Sequence, residues 1–191
     1  VDKQPDATVT IRPARTRDVW VIRALIDLYA DDRILLSKAT VTLFEDVPDF
    51  VVAEDAAGQV VGCAGVHVLW EDLAEVRTLA VSPAVRGTGV GRRLLQAAIV
   101  RGRELGVRRM FCLTFQVDFF TAAGFVPIGE EAVVDPDVYA QLLQSYDEGV
   151  AEFLDLERVK PNTLGNTRML LHLDAGETAD PADPAHSQSP A

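Results

Sequence analysis

Arg86-Gly87-Thr88-Gly89-Val90-Gly91 stands between a strand-like segment, residues 75–81, and a segment with helical spacing, and its reading decides the fold. Glycines at 87, 89 and 91 let the backbone turn sharply and let a ligand approach the main chain closely. A helix that starts in such a turn aims its first free N–H groups at it, which favours an anion such as a phosphate or pyrophosphate.

Two familiar phosphate-binding patterns fail here. A Walker loop needs Gly-x-x-x-x-Gly-Lys-Ser/Thr, but Arg92 stands five residues after Gly87 and no Lys-Ser follows. A dinucleotide turn needs Gly-x-Gly-x-x-Gly, and Arg92 occupies the third glycine site after Gly87 and Gly89.

Upstream of the turn, residues 8–12 alternate as a first strand, and Val19, Ile22, Leu25, Ile26 and Tyr29 recur with helical spacing after the helix-start residues 16–18. A break at 31–33 precedes a second, shorter helix within 34–45. Residues 50–54 and 60–68, joined by a turn at 55–59, read as a β-hairpin, with Gly62 and Gly65 marking a bulge or close packing. A loop at 70–73 leads into a strand over 74–81, which Ser82-Pro83 ends because proline cannot donate to a ladder.

Downstream, Val90, Leu94, Leu95, Ala98 and Leu105 share a helical face, and Gly106 supplies the stop. Residues 110–114 are apolar enough for a buried strand; a short helix follows at 118–123 and a strand at 124–128. Asp135-Pro136-Asp137 announces a helix to about residue 145 through its cap, N1 proline and first-turn acid. Residues 147–160 are acidic and take no assignment, and 168–173 read as the last strand. The final stretch, residues 174–191, has hardly any large apolar side chains and is expected to be a disordered tail, leaving residues 1–173 as a single domain.

The pattern Arg/Gln-x-x-Gly-x-Gly/Ala is met by Arg86, Gly89 and Gly91 directly after Leu79-Ala80-Val81-Ser82-Pro83. On these residues the chain resembles the GNAT superfamily of acyl-CoA-dependent N-acetyltransferases. The resemblance continues through Phe119-Phe120-Thr121-Ala122-Ala123-Gly124-Phe125 and covers residues 8–173. It implies an α/β (α+β) fold with a mixed, mostly antiparallel sheet of six or seven strands, helices on both faces, and a V-shaped splay of the fourth and fifth strands. Acetyl-CoA would be the acetyl donor, with no metal. Its pyrophosphate would sit on Gly87, Thr88, Gly89, Val90 and Gly91, with Arg86, Arg92 and Arg93 as surrounding cations. Its pantetheine arm would pair with the backbone of Leu79, Ala80 and Val81.

Acetyl transfer to an amine requires the amine neutral, so an ammonium must first lose a proton to a base. Glu75 matches the position where many members carry that base; the other reading is an exposed glutamate at a strand start. Phe120 stands where the family often has a tyrosine that protonates the leaving thiolate, which leaves Tyr139, Tyr146, Ser145 and Thr114 as unresolved candidates for an acid.

Two further segments, Ile34-Leu35-Leu36-Ser37-Lys38 and Leu164-Gly165-Asn166-Thr167-Arg168-Met169-Leu170, together with Arg109-Met110-Phe111-Cys112-Leu113-Thr114-Phe115, resemble the acetyltransferase domain of bacterial N-acetylglutamate synthases. The block at 145–166 is similar to the short, stand-alone actinobacterial type, and 191 residues are expected to leave no room for the amino-acid-kinase-like domain of the longer ones. The resemblance thus implies acetylation of the α-amino group of L-glutamate, or of L-glutamine, at the first step of arginine biosynthesis. Lys38, Arg77, Asn166 and Arg168 are the candidate substrate donors. Two alternatives stay open: an acetyltransferase for another small amine or a protein N-terminus, and a non-catalytic acyl-CoA sensor.

A net charge of −11 argues against nucleic-acid or anionic-membrane partners. Residues 1–6 lack an apolar signal core, and no apolar run approaches a membrane span. Cys63 and Cys112 lie in apolar runs and read as buried free thiols, so a reduced, cytoplasmic setting is expected. His67 and His172 read as core or rim histidines, and no HExxH, GxSxG or metal-ligand cluster is present. The expected partners are small molecules, an amino acid and acetyl-CoA; a homodimer stays open.

Overall fold

The computed structural model describes residues 9–30, 39–129, 134–154 and 166–173. The whole Ile34–Lys38 segment, Lys38 included, and the expected tail lie outside the described residues. The apolar alternation of the chain forms strands β1 (Thr10–Pro13), β2 (Phe50–Glu54), β3 (Val60–Trp70), β4 (Leu73–Val81), β5 (Arg109–Thr114), β6 (Val126–Pro127) and β7 (Thr167–His172). They build one seven-stranded sheet in the order β1-β2-β3-β4-β5-β7-β6. Every pairing is antiparallel except β4 with β5. The helices are α1 (Val19–Ala30), α2 (Thr40–Glu45), α3 (Val90–Glu104), α4 (Val117–Thr121), α5 (Pro136–Leu142) and α6 (Glu148–Phe153).

Alternation sorts the side chains to two faces. On one, Ala53, Ala64, Val66, Ala74, Val76, Met110 and Cys112 pack with Val90, Leu94, Leu95 and Ala98 of α3. On the other, α1 packs Val19, Ile22 and Ile26 against Phe50, Val52, Cys63 and Ala80. Further along that second face, Leu73 and Phe111 meet Val150 and Phe153 of α6. Each such large buried side chain contributes roughly 2 kcal/mol of transfer free energy.

Several boundaries differ from the sequence expectation. The 70–73 loop shrinks to Glu71 and Asp72, because β3 runs to Trp70 and β4 begins at Leu73. Leu105 is exposed rather than on the core face, since α3 ends at Glu104 and Leu105 is its C-cap. The 124–128 strand is reduced to Val126–Pro127. Gly62 marks close packing, as expected: a Cβ there would lie 2.8 Å from a Leu94 methyl.

The first helix is locked to the sheet by charge. Arg12 of β1 reaches Asp18 at 2.7 Å and also pairs with Glu54 of β2. The buried Asp18 carboxylate accepts the Arg15 N–H as well, at 2.8 Å. The Arg12 hydrogen bond holds the Asp18 carboxyl below its ordinary value, against the opposing effect of burial. A depressed folded value means stability that is present above the ordinary carboxylate range and lost as the pH falls through the folded value. Asp18→Asn should therefore lower stability by about 2 kcal/mol at neutral pH. In denaturant titrations its deficit relative to wild type should close as the pH is brought well below 4.

Candidate active site

The parallel ladder between β4 and β5 consists of Leu73↔Arg109, Ala74↔Met110 and Glu75↔Phe111. Beyond Glu75 the two strands part: β5 stays on β7 as far as Thr114↔Thr167, while β4 stays on β3 as far as Val81↔Gly62. The pairing of β3 with β4 steps from Gly65↔Arg77 to Cys63↔Ala80, which puts one extra residue on β4. That residue set includes Thr78, at φ 58°, in the left-handed region that a β-branched side chain rarely enters. The bulge shifts the alternation, so Ala80 joins Glu75 and Arg77 on the α1 and α6 face. Cys63 supports the bulge by donating its thiol hydrogen to the Thr78 carbonyl at 3.6 Å. Burial pushes the Cys63 thiol up to about 12, despite an opposing hydrogen bond from the Ala80 backbone. Burial and the nearby Glu75 charge likewise raise Cys112, so both sulfurs stay protonated and neither is a nucleophile at neutral pH.

Leu79, Ala80 and Val81 therefore form the open lip of the splay, and the glycine turn follows at its end. Gly87 and Gly89 have φ of 76° and 90°, and no atom lies within 4 Å of a Cβ built at either. Gly89 caps α3, and its carbonyl accepts the Arg93 N–H at 3.1 Å. The N–H groups of Val90, Gly91 and Arg92 precede the first closed helical bond and point outward along the axis. With the positive end of a helix of 15 residues behind them, they make a cradle for an anion. Arg86 leans away, with its guanidinium 5.0 Å from the Tyr29 ring centre and Nε donating to the Tyr29 hydroxyl at 3.2 Å. Tyr29 in turn donates to the Val81 carbonyl, which ties α1 to the lip. Arg92 is exposed beside the turn, whereas Arg93 is engaged with the Val9 carbonyl at 2.7 Å.

Where β4 and β5 still touch, a charged cluster lies between the α1 core and the α6 core. Glu75 is 4% exposed, and the Gly149 backbone of α6 lies directly against its carboxylate. Arg77, with a side chain 10% exposed, donates to Asp147 Oδ2 at 2.9 Å and lies 3.9 Å from Glu75 Oε2. Asp147 Oδ1 accepts the Val150 N–H at 3.1 Å, so one carboxylate caps α6 and binds Arg77. Burial alone would raise the Asp147 carboxyl, but the Arg77 charge and hydrogen bond, with His67, bring it below its usual value. Burial opposes the charge of Arg77, and Glu75 and Asp147 more than compensate. His67 pairs across the ladder with Glu75, and its Nδ1 meets Asp49 Oδ2 at 2.8 Å.

Of the four predicted substrate donors, Arg77 and Arg168 both reach α6. Arg168 donates to the Phe153 carbonyl at its C-terminal end and to the Gly129 carbonyl at 3.3 Å. Arg77 Nη2 and Arg168 Nε are buried and have no hydrogen-bond partner among the described residues. Asn166 is half-buried at the entry to β7. Among the acid candidates, Tyr146 is 99% exposed, the Thr114 hydroxyl accepts the Gln116 N–H at 2.8 Å and the Ser145 hydroxyl accepts the Asp147 N–H at 3.1 Å. Phe120 is buried in a T-shaped aromatic stack with Phe119 and Phe125. Asp49, Asp147 and Gly149 were not singled out from sequence, and His67 was read as a core or rim side chain. The signal that could have found His67 is the tight turn at Glu71 and Asp72, which folds His67 back opposite Glu75.

Residues 18–125 match the Acetyltransferase (GNAT) family. A curated Mycobacterium tuberculosis relative called amino-acid acetyltransferase is 49% identical, over 90% of this chain and 99% of its own length. The crystal structure of Rv2747 from Mycobacterium tuberculosis in complex with CoA superposes with a TM-score of 0.82 at 50% identity, covering 86% of this chain and 99% of that one. N-acetylglutamate synthase from Neisseria gonorrhoeae, complexed with coenzyme A and N-acetyl-glutamate, gives a TM-score of 0.69 at 26% identity; 87% of this chain is covered, but only 35% of the longer neighbour.

A side chain at position 149 would enter the space of the Glu75 carboxylate. Gly149→Ala should lower stability by about 1–3 kcal/mol, the usual range for overpacking. It should also reduce kcat while leaving the dissociation constant for CoA unchanged, because the glycine turn lies at the far end of β4. Calorimetric unfolding and steady-state rates measure both effects.

Proposed function

The chain belongs to the GNAT acetyltransferase family, and from that premise we propose that it transfers the acetyl group of acetyl-CoA to the α-amino group of L-glutamate or L-glutamine. Such a step would open arginine biosynthesis, in a reduced, cytoplasmic setting. The 49% identity to an amino-acid acetyltransferase over 90% of the chain carries the reading.

The residues present suit the donor. Acetyl-CoA supplies an activated acetyl thioester. The outward N–H groups of Val90, Gly91 and Arg92 would take its pyrophosphate, with Gly87, Thr88 and Gly89 giving close backbone access and Arg86 and Arg92 nearby positive charge. Main-chain groups of Leu79, Ala80 and Val81 at the lip of the splay would hold its arm.

The acceptor side lies on the α1 and α6 face. The charged cluster there sets the carboxylates Glu75 and Asp147 around Arg77, with Asp49 held on His67 beside them, a balance suited to an ammonium group. Buried Arg77 Nη2 and Arg168 Nε offer donors for the carboxylate and the side-chain oxygens of an amino acid. Lys38 and Asn166 complete the proposed set. Glu75 acts as the general base that removes an ammonium proton, freeing the nitrogen lone pair for direct attack without an acyl-enzyme.

An amino-acid panel with acetyl-CoA, read by release of free thiol, tests this reading. Glutamate or glutamine should be the preferred acceptor, and Glu75→Gln should cut kcat by about 100-fold with CoA affinity retained. Turnover of peptides or other amines with both amino acids inert would overturn the acceptor assignment. A wild-type protein that binds acetyl-CoA and acetylates nothing would make it a sensor instead.

A further inference from the structure

Glu75 has a difficulty as a base: at 4% exposure, beneath the Gly149 backbone, it has almost no surface from which to return a proton to water. We propose that His67, oriented by Asp49, is the relay that carries the ammonium proton from Glu75 to solvent. This inference rests on the amine-acetylation reading with Glu75 as base, and goes beyond it by assigning the exit route of the proton.

Four observations place the relay. His67 is the direct cross-strand partner of Glu75. Such partners in an antiparallel pair have Cβ atoms about 4.5–5.5 Å apart, within reach of two long polar side chains. The imidazole is 27% exposed, so it touches the buried cluster and water at once. Its Nδ1 lies 2.8 Å from Asp49 Oδ2; an ionised carboxylate only accepts, so Nδ1 carries a hydrogen, and in the neutral ring it is Nε2 that presents the lone pair. Nε2 faces the cluster, 3.6 Å from Asp147 Oδ2, too far for a hydrogen bond that would tie it up.

The transfer balances without another reactant. An N–H bond of the substrate ammonium breaks, its electron pair stays on nitrogen, and a Glu75 oxygen gains the proton. Glu75 then passes it to His67 Nε2, forming an imidazolium that Asp49 stabilises, and the ring releases it to water. An imidazole can take up a proton at one ring nitrogen and give one up from the ring again, which no carboxamide or hydroxyl neighbour here could do. The charged groups around the ring are Asp49 just before β2, Glu75 and Arg77 on β4, and Asp147 at the start of α6; Asp46 acts on Arg77 from further out. Carboxylates outnumber cations among these groups. His67 works through Glu75 and is a positioning and relay residue rather than a catalytic one.

The test compares wild type, His67→Gln, His67→Ala and Asp49→Asn in the thiol-release assay with the preferred amino acid, alongside CoA affinity and melting temperature. Glutamine can keep the bond to Asp49 but cannot carry a proton. His67→Gln should therefore lose kcat by about 10- to 100-fold while melting temperature and CoA affinity hold. Added imidazole should restore His67→Ala. Asp49→Asn should move the acid limb of the kcat/KM profile to lower pH, because the imidazolium loses its stabilising charge. Should both His67 variants fail to fold, the Asp49→Asn profile decides alone: an unmoved limb overturns the relay. A folded His67→Gln with wild-type rates, or a loss that imidazole does not restore, also overturns it and leaves His67 as a structural tie. Absence of turnover in the wild type would overturn the acetylation reading and the relay together, whereas normal wild-type turnover with indifferent variants removes the relay alone.

Discussion

The parting of β4 from β5 after the Glu75↔Phe111 pair is the constraint on which the site depends. A parallel ladder that continued to Val81 would bury the main-chain groups of Leu79 to Val81 in the sheet and leave no edge for a ligand. The extra residue on β4 at the Thr78 bulge bends the strand away and shifts its alternation. A β-branched residue held at φ 58° costs on the order of 1–3 kcal/mol. The surroundings over-determine that conformation, with Cys63 beneath it, β3 beside it and Tyr29 fastening the lip at Val81. Strain of this size persists where the packing on either side of the sheet offsets it, and here the bulge lies between the α3 core on one face and the α1 core on the other.

The same geometry separates two tasks along one strand. The C-terminal part of β4 and the cradle at the start of α3 offer uncharged backbone donors to a phosphate-bearing ligand. Its first half carries Glu75 and Arg77 into a cluster that α6 closes. Asp147 connects them, because the carboxylate that caps α6 also holds Arg77. Buried charges of this kind are weak contributors to stability, since desolvation consumes most of their attraction. We propose that they prepare the site for a charged substrate and a moving proton.

Much of this was legible in the sequence, and the illegible parts share a cause. The glycine turn, the strand before it and the α3 stripe of Val90, Leu94, Leu95 and Ala98 are local patterns, and they fix the fold and the anion cradle. Glu75 was singled out by its match to the family's base position and Arg77 as a candidate substrate donor, and the structure sets the two side by side. Asp49, His67 and Asp147 come from three segments of unremarkable composition, and only the sheet brings them together. The Thr78 bulge has no signature either: a threonine in a left-handed conformation contradicts its own propensity, and tertiary pairing overrides it. For α6, Val150, Phe153 and Leu154 do recur at i, i+3 and i+4, but over a single short turn in an acidic stretch, and they become informative only once Phe111 and Leu73 are seen beneath them.

A crystal structure with CoA and the N-acetylated amino acid bound together tests the central claim most directly. The account predicts the pyrophosphate on the amides of Val90, Gly91 and Arg92, the arm along Leu79 to Val81 within the splay, and the product on the Glu75 and Arg77 face beside α6. CoA seated away from the splay, or product on the α3 face of the sheet, would contradict it.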